Sequence, residues 1–284
     1  MKLQQELISF GLDFYGVNEQ EYREGIQNCA DLLFADREKR EKFEEIITIL
    51  HEKEEKISCQ LPSIKEIFGF DLPYLSHLAL LIGARHHEKI MMERGYDADQ
   101  WKVQMEKIHH FLTSVHPGEA LPNLSPTGLV WTSYFPNGRL IQVGRLQYEN
   151  CPDGIHVHIP AGKDLNSDEV RASLKGSYSK VQKYFGIENP EYRCSSWLLS
   201  PEIASFLKED SNIKKFQSFF DLQEGIVTTN GVYRFLFKVP LDTPFDQLPE
   251  NTSLQRAVKA HLLAGKEIHN GIGFVKRDVF FEKD

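Results

Sequence analysis

IHVHIPAGKDLNSDEVRASLKGSYSKVQKYFGIENPEYRCSSWLL, residues 155–199, changes its apolar period twice. Ile155–Ile159 alternates with a period of two, as a half-buried strand does. From about Asp168 to Phe185 the apolar residues recur three and four apart, as on one face of a helix, and Arg193–Leu199 returns to a strand pattern. A strand, a helix and a second strand in this order form a βαβ crossover, which would lay the two strands side by side and parallel.

Upstream of the crossover, Leu129–Phe135 and Leu140–Tyr148 alternate and flank Pro136-Asn137-Gly138, which predicts a hairpin with Asn-Gly supplying positive φ. Downstream, the pattern predicts a short helix after Pro201, a helix over Asn212–Phe220, a strand over Val232–Val239, a helix over Leu254–Leu263 and a β-prone tail over Ile272–Phe281. Gly271-Ile272-Gly273 reads as a turn into that last strand. Before all of this, from Met1 to about His116, apolar residues repeat with helical spacing, as in Ile46, Ile47, Leu50 and Leu75, Leu78, Leu81, Ile82. Breaks at Gly16-Val17-Asn18, Leu61-Pro62-Ser63, Phe70–Pro73 and Gly95-Tyr96-Asp97 divide that half into about five helices. The segment from His116 to Pro126 holds three prolines and little periodicity, so the domains are expected to be a helical bundle, 1–117, and a mixed β-sheet flanked by helices, 118–284.

The composition is that of a folded globular chain: 284 residues, 41% hydrophobic and 26% charged, long enough for two cores. No apolar run reaches the ~20 residues that span a bilayer, and the N-terminus lacks the basic-then-apolar profile of a secretory signal, so a cytoplasmic location and no membrane are expected. A net charge of −8 with no dense basic stretch argues against nucleic acid as a partner. The four cysteines, Cys29, Cys59, Cys151 and Cys194, have neither zinc-knuckle nor redox spacing and read as free thiols.

The hairpin, crossover and following elements, together with three strings, carry a family resemblance. His158-Ile159-Pro160-Ala161-Gly162, Cys194-Ser195-Ser196-Trp197-Leu198-Leu199-Ser200-Pro201 and Ser211-Asn212-Ile213, in that order, resemble a bacterial family with an N-acyltransferase N-terminal helical domain and a GNAT-like C-terminal domain. The resemblance implies two central strands that splay apart and admit acyl-CoA, either acetyl-CoA or a longer ester. It implies an acyltransferase-like domain without specifying a substrate, and the leading expectation is acyl transfer to an amine of a small molecule. It also places Ala161, Gly162, Lys163, Ser195, Ser196 and Asn212 near the cofactor, with Asn212 close to the thioester. The turn Pro160–Asn166 departs from the superfamily's glycine-rich form, having one glycine, while Asp164, Asp168 and Glu169 bring carboxylates to the start of the helix. Lys163 is the candidate cation to offset these carboxylates in part. That departure keeps open a second reading, a non-catalytic metabolite- or peptide-binding protein on a degenerate GNAT-like fold.

Acyl transfer to an amine needs a base for the incoming ammonium and an acid for the departing thiolate. His156 and His158 share one face of their strand, with Glu149 on the preceding strand to orient an imidazole, and are the candidate bases. The plain alternative makes them polar residues on a half-exposed strand. An H-x-H pair can also hold a metal, but no convincing third ligand stands nearby in sequence, so no metal is expected. Cys194 is a candidate nucleophile or, as a strand cysteine, a small buried hydrophobe. His86-His87 and His109-His110 diverge on predicted helices and make poor chelators.

Overall fold

A computed structural model describes residues 2–51, 63–113, 123–160 and 165–281 of the chain. It divides into two compact units, Met1–Gln142 and Val143–Asp284. The boundary expected at 117–118 falls outside the described residues.

The first unit is helical throughout: α1 (Lys2–Phe14), α2 (Gln20–Ala35), α3 (Arg37–His51), α4 (Ile64–Phe68), α5 (Leu75–Ile82), α6 (Ala84–Glu93), α7 (Ala98–Thr113) and α8 (Pro126–Ser133). Sequence periodicity predicts about five helices before residue 117; the described residues hold seven, because α4 is a single capped turn and Gly83 separates α5 from α6. Helix α5, LSHLALLI, is apolar nearly all round and its leucines are fully buried, which makes it the centre of this unit's core. Residues Leu129–Ser133, expected as strand, lie in α8 instead. Ser125 accepts a hydrogen bond from the Gly128 amide and Pro126 occupies the first helical turn, so the start signal outweighs the β-prone Val-Trp-Thr. Asn137-Gly138 then winds off the end of that helix, Gly138 at φ 69, rather than closing a hairpin.

The second unit is built on a six-stranded sheet in the order β1-β2-β3-β4-β6-β5: β1 (Leu140–Val143), β2 (Leu146–Cys151), β3 (Gly154–His158), β4 (Tyr192–Ser196), β5 (Phe220–Val227) and β6 (His269–Val275). β2 and β3 form an antiparallel hairpin around Pro152-Asp153, and β3 and β4 are parallel across α9 (Ser167–Phe185), as the crossover reading requires. α9 begins at an Asn166 cap and ends at Gly186, whose φ is 70. It covers one face of the sheet, where the Tyr148 hydroxyl meets Ser173 Oγ at 2.9 Å. The remaining helices of the unit are α10 (Pro201–Ser205), α11 (Asn212–Gln217), α12 (Ser253–Leu263) and α13 (Asp278–Phe281). Among the described residues, no helix is long and apolar enough to cross a membrane.

Four expectations are corrected here. Arg193–Leu199 is strand only to Ser196, after which Ser196 Oγ caps a 3-10 turn over Trp197–Leu199. The helix at Asn212 stops at Gln217, and Phe220 opens the edge strand β5, which periodicity did not predict. Val232–Phe237 is a π-helical turn rather than a strand: Val232, Tyr233 and Phe237 are buried against Val258 and Leu262 of α12, a spacing that no alternating strand provides. Gly271 and Gly273 lie within β6, where they pair with Ser196 and Cys194, and the tail beyond Arg277 turns into α13.

Candidate functional site

The register of the β2–β3 hairpin sets Glu149 opposite His156, Gln147 opposite His158 and Cys151 opposite Gly154. Strand parity therefore gathers Glu149, Cys151, His156 and His158 on the face turned away from α9. There His158 Nε2 donates to Glu149 Oε2 at 2.9 Å, and the glutamate side chain is only 7% exposed. His156 Nε2 donates to Asp153 Oδ1 at 2.8 Å, and the other oxygen of Asp153 pairs with Arg193 of β4. Against the desolvation that would raise it, His156 and Arg193 hold the Asp153 carboxyl below its usual range. The two histidines thus have different partners: one leans on a buried carboxylate, the other on an exposed acid in the hairpin turn.

β3 and β4 are registered at Ile155 with Tyr192 and at His156 with Arg193. Past these two pairs, no pairing between Val157–His158 and Cys194–Ser196 is registered among the described residues. β4 turns to its other neighbour, with Cys194, Ser195 and Ser196 opposite Gly273, Ile272 and Gly271 of β6. The registered pairing of the two parallel strands thus ends at His156 and Arg193, and His158 lies just beyond it on β3.

Cys194 is buried, and desolvation pushes its thiol up to about 12, so at neutral pH it is a protonated core side chain. Ser195 is exposed and its Oγ accepts from Asn270 Nδ2 at 2.8 Å, while Ser196 is spent on its 3-10 cap. Asn212 opens α11 and is exposed, the cap itself being made by Ser211. Ala161, Gly162 and Lys163 lie outside the described residues. Beyond these residues, Asn166 Oδ1 already accepts from the amides of Asp168 and Glu169. Reasoning from sequence missed Arg145, in the β1–β2 turn, whose guanidinium donates to Pro160 O at 2.8 Å and lies within electrostatic reach of Glu169. It also missed Asp153, Arg193 and Cys151. The alternation Glu149-x-Cys151 and the Pro-Asp-Gly turn were the available signals, but which side chains they meet depends on register.

The second unit is an open mixed sheet with a helical crossover between two central parallel strands, the arrangement of GNAT-like acyltransferase domains. Residues 140–275 match the family model described as the GNAT-like C-terminal domain, and this half of the chain is such a domain. Among solved structures, the chain is similar to an acyltransferase mutant in complex with octanoyl-CoA, at 24% identity and a TM-score of 0.67 over 93% of this chain and 86% of that one. It is similar also to an acyltransferase in complex with decanoyl-CoA and teicoplanin, at 25% identity and a TM-score of 0.60 over 83% of this chain and 76% of that one. A third likeness, to an acyltransferase in complex with CoA and 10C-teicoplanin, has 24% identity and a TM-score of 0.61 over 83% and 76% of the two chains. No curated protein matches the chain at a significant level.

Proposed function

We propose that this chain transfers an acyl group from acyl-CoA to an amine of a small molecule, with His158 as proton acceptor and Glu149 orienting it. The observation that carries the reading is the end of the β3–β4 pairing at His156 and Arg193, directly beside the His158–Glu149 pair. Solved neighbours that bear octanoyl-CoA and decanoyl-CoA support a donor of medium chain length rather than acetyl-CoA alone, and the neighbour bearing teicoplanin supports an acceptor that is a discrete molecule. In the reaction the amine nitrogen attacks the thioester carbonyl, its proton passes to His158, the C–N bond forms as the C–S bond breaks, and the thiolate leaves to be protonated. Main-chain N–H groups beyond the end of the pairing would polarise the carbonyl. Of Tyr178, Tyr184 and Tyr192, which could return a proton to the thiolate, Tyr184 and Tyr192 are buried and Tyr178 is half-buried.

The test begins with calorimetric titration of the purified chain with acetyl-, octanoyl- and decanoyl-CoA. Octanoyl- or decanoyl-CoA is expected to bind near the micromolar range, about −8 kcal/mol. An amine panel assayed by release of free CoA should then identify an acceptor. His158→Ala should lower kcat by about 10²-fold or more while acyl-CoA binding persists, and His156→Ala should lower it less. Absence of binding by all three esters would overturn the reading in favour of a binding protein on this fold.

A further inference from the structure

On the same sheet face, nearer the β2–β3 turn, Glu149, Cys151 and His156 each present a ligand atom, and the three atoms lie within 4.8 Å of one another. A tetrahedral zinc ion with bonds of ~2.0–2.3 Å spaces its ligands roughly 3.5 Å apart, so side-chain adjustments of about an ångström would close the set. Sequence reading looked for a metal in the pair His156 and His158. The register instead substitutes Cys151 for His158, because Cys151 and Glu149 are two residues apart on β2 and Glu149 faces His156 across the ladder.

The surroundings of the three side chains are those of a metal shell. Histidine ligands characteristically give their second ring nitrogen to a carboxylate, and carboxylate ligands are themselves hydrogen-bonded. Here Nε2 of His156 is held by Asp153, which Arg193 anchors in turn, leaving Nδ1 to carry the ring's lone pair. Glu149 Oε2 is fixed by His158. Glu149 and Cys151 are both buried, and a cation bound there would favour their carboxylate and thiolate forms. We propose that Glu149, Cys151 and His156 bind one thiophilic divalent cation of the zinc type, with a fourth position open to water or a ligand. A sulfur, a nitrogen and a single carboxylate suit zinc or cobalt and do not suit magnesium or calcium, which take oxygen shells.

The test uses the full chain, reduced and freed of metal, titrated with Co²⁺ alone and then with Zn²⁺. One equivalent of cobalt should give tetrahedral d–d bands and a thiolate-to-cobalt charge-transfer band, both removed by zinc. Cys151→Ser should abolish the charge-transfer band and Cys59→Ser should leave it. His156→Ala, a change at a half-exposed position, should weaken cobalt at least tenfold with an unchanged circular dichroism spectrum. Absence of the charge-transfer band, its survival in Cys151→Ser, or unaltered affinity in His156→Ala would overturn the assignment. No acyl donor enters these readouts, so they stand or fall apart from the acyl-transfer proposal.

Discussion

Asn166 shows how much one side chain settles at the mouth of the crossover. Its Oδ1 accepts from two of the amides that α9 would otherwise leave open, at 2.9 and 3.1 Å. Asn166→Ala is expected to cost about 1 kcal/mol, and thermal unfolding should register this as a fall of roughly 2–4 °C in Tm. Sequence marked the acidic first turn at Asp168 and Glu169, and the structure shows that Asn166 makes the cap. The partners of the two strand histidines were not readable in sequence. Alternation alone put His156 and His158 on one face, but only the antiparallel register tells that His158 reaches diagonally to Glu149 while His156 reaches back to Asp153.

Elements that bury an ordinary periodic face were legible: α3, α5, α9 and α12, and strand β3, stand where their apolar spacing puts them. The misread elements are those whose sequence carries a β-prone composition but whose neighbours demand something else. Val232–Phe237 is one, where Gln255 of α12 donates to Leu236 O and Tyr233 to Thr243 O, holding the π-helical turn in place. β6 is another. Its glycines looked like a turn because nothing in sequence shows that the 3-10 turn after β4 crosses directly over them. A Cβ on Gly271 would lie 2.1 Å from Leu199 O, main chain against main chain. Gly271→Ala should therefore destabilise this unit by about 1–3 kcal/mol or more, since the backbone must shift to accept it. A lowered midpoint in urea is the expected result, and an unchanged midpoint would show that the 3-10 turn yields freely.

At the scale of the whole chain, the two units carry different sensitivities. Within the helical unit, burial lowers His51 and His77 to about 4 and His87 to about 3, from an ordinary value of 6.5. His51 keeps a hydrogen bond to Ala79 O and His77 one to Tyr22, while Nδ1 of His87 has no partner in its buried site. All three are neutral in the folded unit and take up protons only when it opens. The stability they preserve is therefore complete above about pH 6.5 and is lost as the pH falls toward 4. Each costs a little over 1 kcal/mol per pH unit in that window, or roughly 4 kcal/mol per unit together, against a total stability of about 5–15 kcal/mol for a domain. Helical circular dichroism followed from pH 7 to pH 4 should show this unit unfolding cooperatively near pH 5, and replacing His87 by Gln should move the midpoint lower.

The sequence by itself determined the helical first half, the βαβ crossover, and the alternation that lines polar residues along one strand face, because each of these follows from contacts within a few residues. The tertiary structure decided which glutamate meets which histidine, that Cys151 joins them, that the β3–β4 pairing ends after two pairs, and that β5 and β6 complete the sheet. Those facts depend on register and on close approach between segments that lie tens of residues apart, and no local period encodes them.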